Sequence, residues 1–326
     1  MIRIACMEAY PLKFTPIFKR RIWGGQKLRE YFGKDIPVGQ RIGESWELAD
    51  LPADKSVIAN GPLAGMNIHQ ALAEFPEQMT GDAKFSGDFP LLVKILDAED
   101  VLSVQVHPDE QTCTRTGKGD PKTECWYIIK ASAGAVIYKG VKRTVTREQF
   151  AEAIRDGSVA ELLNKVEVQE GQCHFLPSGT AHAIGAGLLI AEIQLPSDTT
   201  YRVFDWNRVD ENGKARQLHI EDALESIHFG QSTNDLPVTT VGRLVERDYF
   251  IVDKGHQTKG CERLEERGQM RIVMMINGSG RFEAQGQQDV SFGNGDTILL
   301  PAAYEGVMCF EDDTEYLRIL AVSQHE

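Results

Sequence analysis

Short runs in which apolar and polar residues alternate make up most of the chain from FPLLVKIL (89–96) onward. This period of two is typical of β-strands, and Gly, Pro and Asn residues separate the runs. The pattern predicts strands at LSVQVH (102–107), ECWYIIK (124–130), AVIYKG (135–140), KVEVQEGQCHFLP (165–177) and LLIAEIQ (188–194). Strand-like runs resume near residue 239 and continue to the C-terminus, so we expect a mainly β protein.

Helical patterns are fewer and concentrate before residue 231. A turn leading into a short helix is indicated by IWGGQKLREYFG (22–33), and IHQALAEFPEQM (68–79) has helical apolar spacing. The segment 146–166 contains two helix-like stretches, with Thr146 as the expected N-cap and a break at Gly157. A last helix is predicted in HIEDALESIHFG (219–230).

A repeated motif divides the β-rich part into two copies. GQCHFLPSGTAHAI (171–184) and GDTILLPAAYEGVM (295–308) share the frame G-x-x-x-x-L-P, and upstream IIKASAGAVIY (128–138) resembles MMINGSGRFEA (274–284). The first copy is longer by roughly the length of the 146–166 helical insert. Short strands with Gly-rich turns suit a jelly roll of two facing sheets.

We therefore predict two jelly-roll barrels with helical insertions in the N-terminal part. The polar, Pro-containing segment STNDLPVTT (232–240) is the expected linker. The corresponding domains are 1–235 and 236–326, the first with helical insertions and the second without candidate metal ligands.

Composition and charge exclude several classes of protein. The 326 residues are 42% hydrophobic and 25% charged, as in globular proteins, and no apolar run has the length of a membrane span. The N-terminus is a poor signal peptide, and a net charge of −13 argues against general nucleic-acid binding. We expect a cytoplasmic protein with no membrane or nucleic-acid partner, which must gather basic groups locally to hold an anionic ligand.

The six cysteines give no sign of a metal cluster. No C-x-x-C occurs, and the residues are spread over the whole chain: Cys6, Cys113, Cys125, Cys173, Cys261 and Cys309. Reduced thiols, rather than a zinc cluster or a disulfide framework, are expected.

The stretch SVQVHPDE (103–110) breaks the apolar pattern. Gln105 and His107 share one face of the predicted strand, Glu124 opens the strand ECWYIIK, and His182 ends PSGTAH (177–182). Two imidazoles, a carboxylate and an amide oxygen suit zinc, while iron, manganese and cobalt are alternatives. A structural, hydrogen-bonded histidine is the alternative for each residue singly, but the combination predicts a metal site.

The second copy lacks this set. Gly306 stands where the first copy has His182, and no histidine precedes the corresponding strand in CERLEERGQMRIVMM (261–275). Histidines required by the fold would occur in both copies. We therefore interpret the first copy as the working site and the second as structural.

Several longer segments resemble a known family. PLLVKILDAEDVLSVQVHPDE (90–110), KTECWYIIK (122–130), PSGTAHAIGAGLLIAEIQLPSDTTYRVFDWNR (177–208) and GKARQLH (213–219) are similar to the type I mannose-6-phosphate isomerases in their short bacterial form, metal-dependent members of the cupin superfamily. The resemblance implies reversible conversion of mannose 6-phosphate to fructose 6-phosphate. It also implies that Gln105, His107, Glu124 and His182 are zinc ligands and that Arg202 is the catalytic arginine. Because a full ligand set occurs in only one of the two copies, we expect one zinc ion per chain.

The chemistry of such a reaction assigns provisional roles to further residues. Aldose–ketose isomerisation moves a proton between C1 and C2 through an enediol, so it needs an acid–base group and a stabiliser of negative charge. Lys122, Glu44 and Asp198 are the titratable candidates, and Arg202 suits charge stabilisation because a guanidinium stays protonated. Lys122 has an alternative as a solvated loop lysine, and Glu44 has one as an ordinary carboxylate at a strand edge.

The phosphate end of the substrate needs fixed donors. The spacing of Lys94 and Ser103 to Gln105 matches the phosphate-binding lysine and serine of the family. Arg208 stands where longer relatives carry a lysine, which leaves its role open.

Two other functions remain open at this point. A metal-dependent cupin oxygenase would more typically present an H-x-H pair, and a non-catalytic sugar-sensing cupin would not need Lys122 and Arg202 beside a full ligand set. For the isomerase, the expected partner is a small sugar phosphate, and the chain is expected to be a monomer or a weak homo-oligomer.

Overall fold

A computed structural model describes residues 8–83, 85, 87–209, 212–231, 236–263 and 268–322. The N-terminal strands are β1 Leu12–Thr15, β2 Ile17–Gly25, β3 Ile42–Leu48, β4 Val57–Ile58, β5 Leu92–Ala98, β6 Val104–Val106, β7 Glu124–Ala131, β8 Val136–Val141, β9 Leu163–Glu167, β10 Cys173–Leu176, β11 His182–Ile184, β12 Leu188–Gln194 and β13 Tyr201–Phe204. The C-terminal strands are β14 Gly242–Glu246, β15 Phe250–Gln257, β16 Gly260–Arg263, β17 Arg271–Asn277, β18 Gly280–Glu283, β19 Val290–Phe292, β20 Thr297–Leu300, β21 Val307–Phe310 and β22 Thr314–Ala321.

Short helices connect these strands. They are α1 Lys27–Phe32, α2 Ile68–Glu74, α3 Pro76–Thr80, α4 Glu110–Thr116, α5 Arg147–Asp156 and α6 Ile220–Ser226, with a 3₁₀ turn at Val159–Leu162. The predominance of strands confirms the mainly β prediction. None of the described helices is both long and apolar enough to cross a membrane.

The strands form four sheets whose order repeats along the chain. The first two sheets have the orders β10-β7-β12-β5-β3-β2 and β13-β6-β11-β8-β9. The other two have the orders β14-β15-β22-β17-β20-β1-β4 and β16-β21-β18-β19. The arrangement β10-β7-β12 recurs as β20-β17-β22, and β11-β8-β9 recurs as β21-β18-β19, as the repeated sequence motif led us to expect.

Two apolar clusters hold the sheets together. Trp126 and Ile190 of the six-stranded sheet pack with Ile137 and Ile184 of the five-stranded sheet. The other face of the six-stranded sheet contributes to a larger cluster that includes much of the C-terminal sheets. The polar residues of the candidate site thus lie on the inner face of a pair of packed sheets.

The predicted helices are found, with local differences. Residues 68–79 form two helices rather than one because Pro76 disfavours helical geometry at Phe75, where φ is −131° and ψ is 50°. Thr146 caps α5 through a capping box, and Gly157 ends it in the left-handed region, as predicted. α4, capped by Asp109, was not predicted.

The prediction of reduced thiols is wrong for one pair of cysteines. Cys261 and Cys309 lie directly opposite each other on β16 and β21 and form a disulfide bond. Cys113, Cys125 and Cys173 are free thiols, and Cys6 lies outside the described residues. The bond joins positions far apart in sequence, so their spacing alone gave no sign of it.

The predicted linker and domain boundary fall partly on residues 232–235, which lie outside the described residues. β1 pairs with β20, so an N-terminal segment completes a C-terminal sheet. The division into 1–235 and 236–326 stays a prediction.

Candidate active site

Three neighbouring strands bring distant polar residues into one row. β6 lies between β11 and β13, and Gln105 pairs with His182 on one side and with Arg202 on the other. Residues directly opposite each other in paired strands point to the same face of the sheet. The register therefore places Arg202, Gln105 and His182 side by side, although they are separated by as many as 97 positions in sequence.

The facing sheet supplies a second polar row. On β12, Glu192 pairs with Lys94 of β5 and with Trp126 of β7, and Glu124 opens β7 at its end. Glu124 is only 1% exposed and Glu192 only 3%, which is rare for carboxylates unless charged partners surround them.

The metal-ligand candidates converge as predicted. The Nε2 atom of His107 lies 3.3 Å from Oε2 of Glu124, and Nε2 of His182 lies 3.4 Å from its Oε1. The ligand atoms of these three buried residues all lie within 4.8 Å of one another. Gln105 donates from Nε2 to Nε2 of His182 at 3.2 Å, and a half-turn of its amide would put the oxygen there instead.

Backbone carbonyls fix the orientation of both imidazoles. Nδ1 of His107 donates to the carbonyl oxygen of Thr199, and Nδ1 of His182 donates to that of Thr180, each at 2.8 Å. Each ring therefore turns Nε2 toward Glu124, which is the arrangement of metal-bound histidines.

Unused hydrogen-bonding capacity supports a cation at this point. In the described part of the molecule, no hydrogen bond reaches Nε2 of His107 or either carboxylate oxygen of Glu124, although all are buried. Lys122 lies 3.0 Å from Oε2 of Glu124 as an ion pair. Buried polar atoms are costly when unsatisfied, so the donor set fits a divalent metal ion such as zinc.

The charge states suit metal binding. Burial, together with the Lys122 ammonium, lowers the pKa of His107 to about 3, and burial also lowers the pKa of His182. Burial alone would raise the pKa of Glu124, but Lys122 and the two histidines outweigh it and hold that pKa well below its usual range. Neutral imidazoles and an ionised carboxylate are the forms that bind metals.

Beside the ligands, a chain of buried ion pairs alternates in sign. Lys122 lies 3.8 Å from Glu192, whose carboxylate is 2.9 Å from Lys94. Lys94 in turn lies 4.0 Å from Glu44, which accepts a hydrogen bond of 2.7 Å from Arg21.

The two carboxylates within this chain, Glu192 and Glu44, differ in acidity. Burial would raise the pKa of Glu44, but Lys94 and Arg21 lower it to about 2. For Glu192, burial and the nearby Glu124 raise the pKa above its usual value, despite the opposing effect of Lys94. Glu192 is therefore the more basic of the two carboxylates.

A cavity of about 480 Å³ lies over this chain of charges. Among the described residues its lining includes six cationic side chains, Arg20, Arg21, Lys94, Lys122, Arg202 and Arg216. Three anionic side chains, Glu44, Glu192 and Asp198, also line it. This local excess of positive charge in a chain of net charge −13 suits an anionic ligand.

Arg202 reaches the cavity from β13. Its Nε donates to Oγ of Ser103 at 3.2 Å, and its Nη1 donates to the carbonyl oxygen of Gln217 at 2.9 Å. Burial and the neighbouring Arg216 guanidinium lower the pKa of Arg202, yet a guanidinium remains protonated at neutral pH.

The structure brings all the sequence-predicted site residues together. Seven of them line the cavity: Glu44, Lys94, Ser103, Gln105, Lys122, Asp198 and Arg202. The other three, His107, Glu124 and His182, form the cluster of ligand atoms that Lys122 contacts. Arg208, whose role the sequence left open, is absent from the lining.

Sequence reasoning missed Glu192, Arg21 and Arg216. A glutamate inside the apolar run LLIAEIQ was a usable signal, because an ionisable residue in a buried strand needs a partner. The arginines stand in polar segments where charge is ordinary, so no pattern distinguished them.

A second group of potential ligand atoms belongs to Asp50, His69 and Asp88. Asp50 already accepts hydrogen bonds from Lys55 and from the backbone N–H of Phe89. These contacts use both carboxylate oxygens, so we assign Asp50 a structural role.

Comparisons with known proteins agree with this geometry. Residues 12–124 match the family model "Phosphomannose isomerase type I, catalytic domain". The mannose-6-phosphate isomerase of Streptococcus mutans is 38% identical over 317 residues, which covers 95% of this chain and 98% of that protein. The crystal structure of the mannose 6-phosphate isomerase from Bacillus subtilis superposes with a TM-score of 0.85 at 32% identity, covering 95% of this chain and 98% of that one.

A zinc-bound mannose 6-phosphate isomerase has the same fold, with a TM-score of 0.76 at 16% identity over 96% of this chain and all of that one. Near-complete coverage at more than 30% identity, together with the convergence of the ligand set, establishes the relationship. The chain belongs to the type I phosphomannose isomerases.

Proposed function

We propose that this protein reversibly converts mannose 6-phosphate to fructose 6-phosphate, the activity for which its relatives are named. The main support for the proposal is that a candidate metal site and a cavity for an anionic ligand adjoin each other. A buried His–Glu–His cluster, with Gln105 beside it, contacts Lys122, which also lines a cavity rich in cationic side chains. Such a cavity suits a sugar phosphate better than a neutral sugar or an apolar substrate.

Gln105, His107, Glu124 and His182 would hold the metal, and a single zinc ion per chain is the proposed occupant. When bound, a divalent ion supplies a Lewis acid that stabilises negative charge on a substrate oxygen. Support comes from the unsatisfied buried ligand atoms and from the zinc-bound relative of the same fold.

Proton transfer between C1 and C2 is assigned to groups at the floor of the cavity. The titratable candidates that line it are Lys122, Glu44, Asp198 and Glu192. With a pKa of about 2, Glu44 is a weak base, whereas the raised pKa of Glu192 favours proton uptake. We favour Glu192 together with Lys122, which lies 3.8 Å away, as the acid–base pair.

Arg202 is proposed to stabilise the charge of the enediolate. It lies beside Gln105 in the strand register, and its guanidinium is held by Ser103 and by the backbone of Gln217. A fixed cation that needs no reorganisation during the reaction lowers the barrier most effectively. Ser103 and Lys94 are proposed to contribute to binding of the substrate phosphate.

We further propose that the four sheets form two cupin-type jelly rolls, with a catalytic N-terminal unit and a structural C-terminal one. The repeated strand order supports this division. So does the position of the His107–Glu124–His182 cluster, which lies in the N-terminal unit. A cytoplasmic location and a monomeric or weakly associated state remain predictions.

A coupled assay for fructose 6-phosphate tests the function directly. The purified protein should isomerise mannose 6-phosphate, lose that activity on chelation and recover it with added zinc. Metal analysis should find about one divalent ion per chain, and His182→Ala should lose the ion and the activity while its circular dichroism spectrum stays unchanged.

Two outcomes would contradict the proposal. One is a metal-loaded protein that does not act on mannose 6-phosphate, and the other is full activity after verified removal of the metal. Oxygen uptake by the metal-loaded protein would instead favour the cupin oxygenase.

A further inference from the structure

Arg216 is a cavity-lining arginine that lies outside every strand and helix. It belongs to the segment between β13 and α6, and its side chain is 27% exposed at the edge of the cavity. A guanidinium offers five donors in a planar fork that matches the oxygens of a phosphate. Its chemistry therefore suits the anionic end of a sugar phosphate.

Asp205 fixes the position of Arg216 through both of its carboxylate oxygens. Nε of Arg216 donates to Oδ2 of Asp205 at 2.7 Å, and Nη2 donates to Oδ1 of the same carboxylate. Asp205 is only 6% exposed, so this two-point contact is largely shielded from water. It orients the guanidinium and leaves Nη1 outside the pair.

The turn that carries Asp205 is conformationally strained and firmly anchored. Trp206 and Asn207 both have φ of 55°, in the left-handed region that residues other than glycine rarely adopt. The turn is tied to the segment before Ser103 because Nε1 of Trp206 donates to the carbonyl oxygen of Leu102 at 2.7 Å. Such strain persists only where the surrounding contacts enforce it, and it concentrates at functional sites.

Arg208 serves as an internal comparison because it binds the same carboxylate. Its Nη2 donates to Oδ1 of Asp205 at 2.7 Å, and its Nη1 donates to the carbonyl oxygen of Val101. It does not line the cavity, whereas Arg216 does. The two arginines that share Asp205 thus have different surroundings, one structural and one facing the cavity.

Three of the other cations of the cavity are paired with carboxylates. Lys94 pairs with Glu192, Lys122 pairs with Glu124, and Arg21 pairs with Glu44. These pairs offset part of the positive charge of the three side chains, so a phosphate dianion bound near Lys94 would also need cations outside these pairs. Arg202 forms no ion pair among the residues that the structure describes, and Arg216 lies close enough to weaken its proton affinity.

We infer that Arg216, positioned by Asp205, binds the phosphate group of the substrate next to Arg202 and thereby selects phosphorylated over neutral sugars. The inference rests on the proposed isomerase function and adds a residue to its substrate site. Because the phosphate takes no part in bond making at C1 and C2, this contact is present in ground and transition states alike.

The test compares Arg216→Gln with the wild type at equal metal content. The KM for mannose 6-phosphate should rise about 10–100-fold, as expected for losing a charged hydrogen bond, while kcat stays within about threefold. Inhibition by inorganic phosphate should weaken by a similar factor. Arg216→Lys, which keeps the charge without the fork, should recover part of both losses.

Arg208→Gln is the matched control, since it also removes a guanidinium from Asp205. It should lower the melting temperature but leave the inhibition constant of phosphate within about threefold. Equal phosphate affinity in Arg216→Gln and the wild type would overturn the inference, as would equal weakening by both variants. If Arg216→Gln does not fold, an inhibition constant for Arg216→Lys that matches the wild type would overturn it. A wild-type protein inactive on mannose 6-phosphate would instead refute the proposed function.

Discussion

At the scale of single residues, the site depends on side chains whose orientation is set by the backbone. The carbonyl oxygens of Thr199 and Thr180 turn the two imidazoles toward Glu124, and Trp126 donates from Nε1 to Glu192 at 3.0 Å. These partners keep the ligands and the proposed base fixed before substrate arrives. Preorganised groups of this kind stabilise charge in the transition state without having to reorient during the reaction.

Arg202→Ala should lower kcat about 100-fold or more, with KM little changed and the metal retained. The reason is that enediolate charge exists only near the transition state, so the contact stabilises that state alone. Steady-state kinetics and metal analysis on the same preparation measure both effects. Arg202→Lys should recover only part of the rate because it lacks the planar fork.

Normal turnover by the alanine variant would remove Arg202 from the catalytic assignment. So would a loss of activity that merely follows a loss of metal. In either case the stabilisation of charge would have to be reassigned to Lys122.

At the scale of elements, β6 carries the site although it is only three residues long. Gln105 of β6 pairs with β11 on one side and with β13 on the other. This pairing places His182 and Arg202 on either side of Gln105. On the opposite sheet, His174 of β10 is also buried. Its Nδ1 finds no hydrogen-bond partner in the described structure.

His174 should make the fold sensitive to acid. Burial lowers the pKa of His174 from 6.5 to about 4. Between pH 6.5 and pH 4, His174 is therefore protonated in the unfolded chain but neutral in the folded chain. The contribution of His174 to the free energy of unfolding is therefore retained above pH 6.5 and lost as the pH falls toward 4. The free energy of unfolding should decrease by about 2 kcal/mol between pH 6.5 and 4.5. His174→Gln should lack this component of the pH dependence.

Urea unfolding of the wild type and His174→Gln, both metal-loaded, between pH 7 and 4.5 measures the difference in their free energies of unfolding. The metal-site histidines are the same in both proteins, so the comparison isolates His174. Parallel curves of unfolding free energy against pH would show that His174 does not titrate in this way.

At the scale of the whole molecule, the two β-rich halves share their interior. β1 pairs with β20 through Leu12 and Leu299, and one apolar cluster contains Val93 and Ile193 together with Val252 and Met274. The C-terminal half thus covers the outer face of the sheet whose inner face bears Glu192 and Lys94. The C-terminal half, whose described residues include no candidate metal-ligand group, therefore has a structural role, because it buries the apolar outer face of that sheet.

A protein shortened to residues 1–235 should therefore fail to fold cooperatively. Truncation would expose the apolar outer face of the six-stranded sheet and leave β1 without β20, so we expect aggregation or strong binding of a hydrophobic dye. Thermal melting and size-exclusion chromatography against the full chain provide the measurement. A soluble fragment with a sharp melting transition would show that the N-terminal half is an independent domain.

The sequence by itself indicated the mainly β fold class and most residues of the candidate site. Alternating polarity indicated strands, and the repeated G-x-x-x-x-L-P frame indicated two copies. The presence of His182 in only one copy indicated which of them contains the candidate metal site. These conclusions follow from local patterns, which need no knowledge of how strands pair. Gln105 and His107 were recognisable because polar residues interrupt a strand that would otherwise face a core.

Only the tertiary structure decided which distant residues meet. Strand register placed Arg202 beside Gln105, and the β5–β12 pairing joined Lys94 to Glu192. The Cys261–Cys309 bond likewise depends on β16 and β21 being neighbours. The position of Arg216 was also invisible in sequence, because its contact with Asp205 and its place in the cavity lining both depend on the folded chain. Pairing and burial are properties of the folded chain, so no local pattern could supply them.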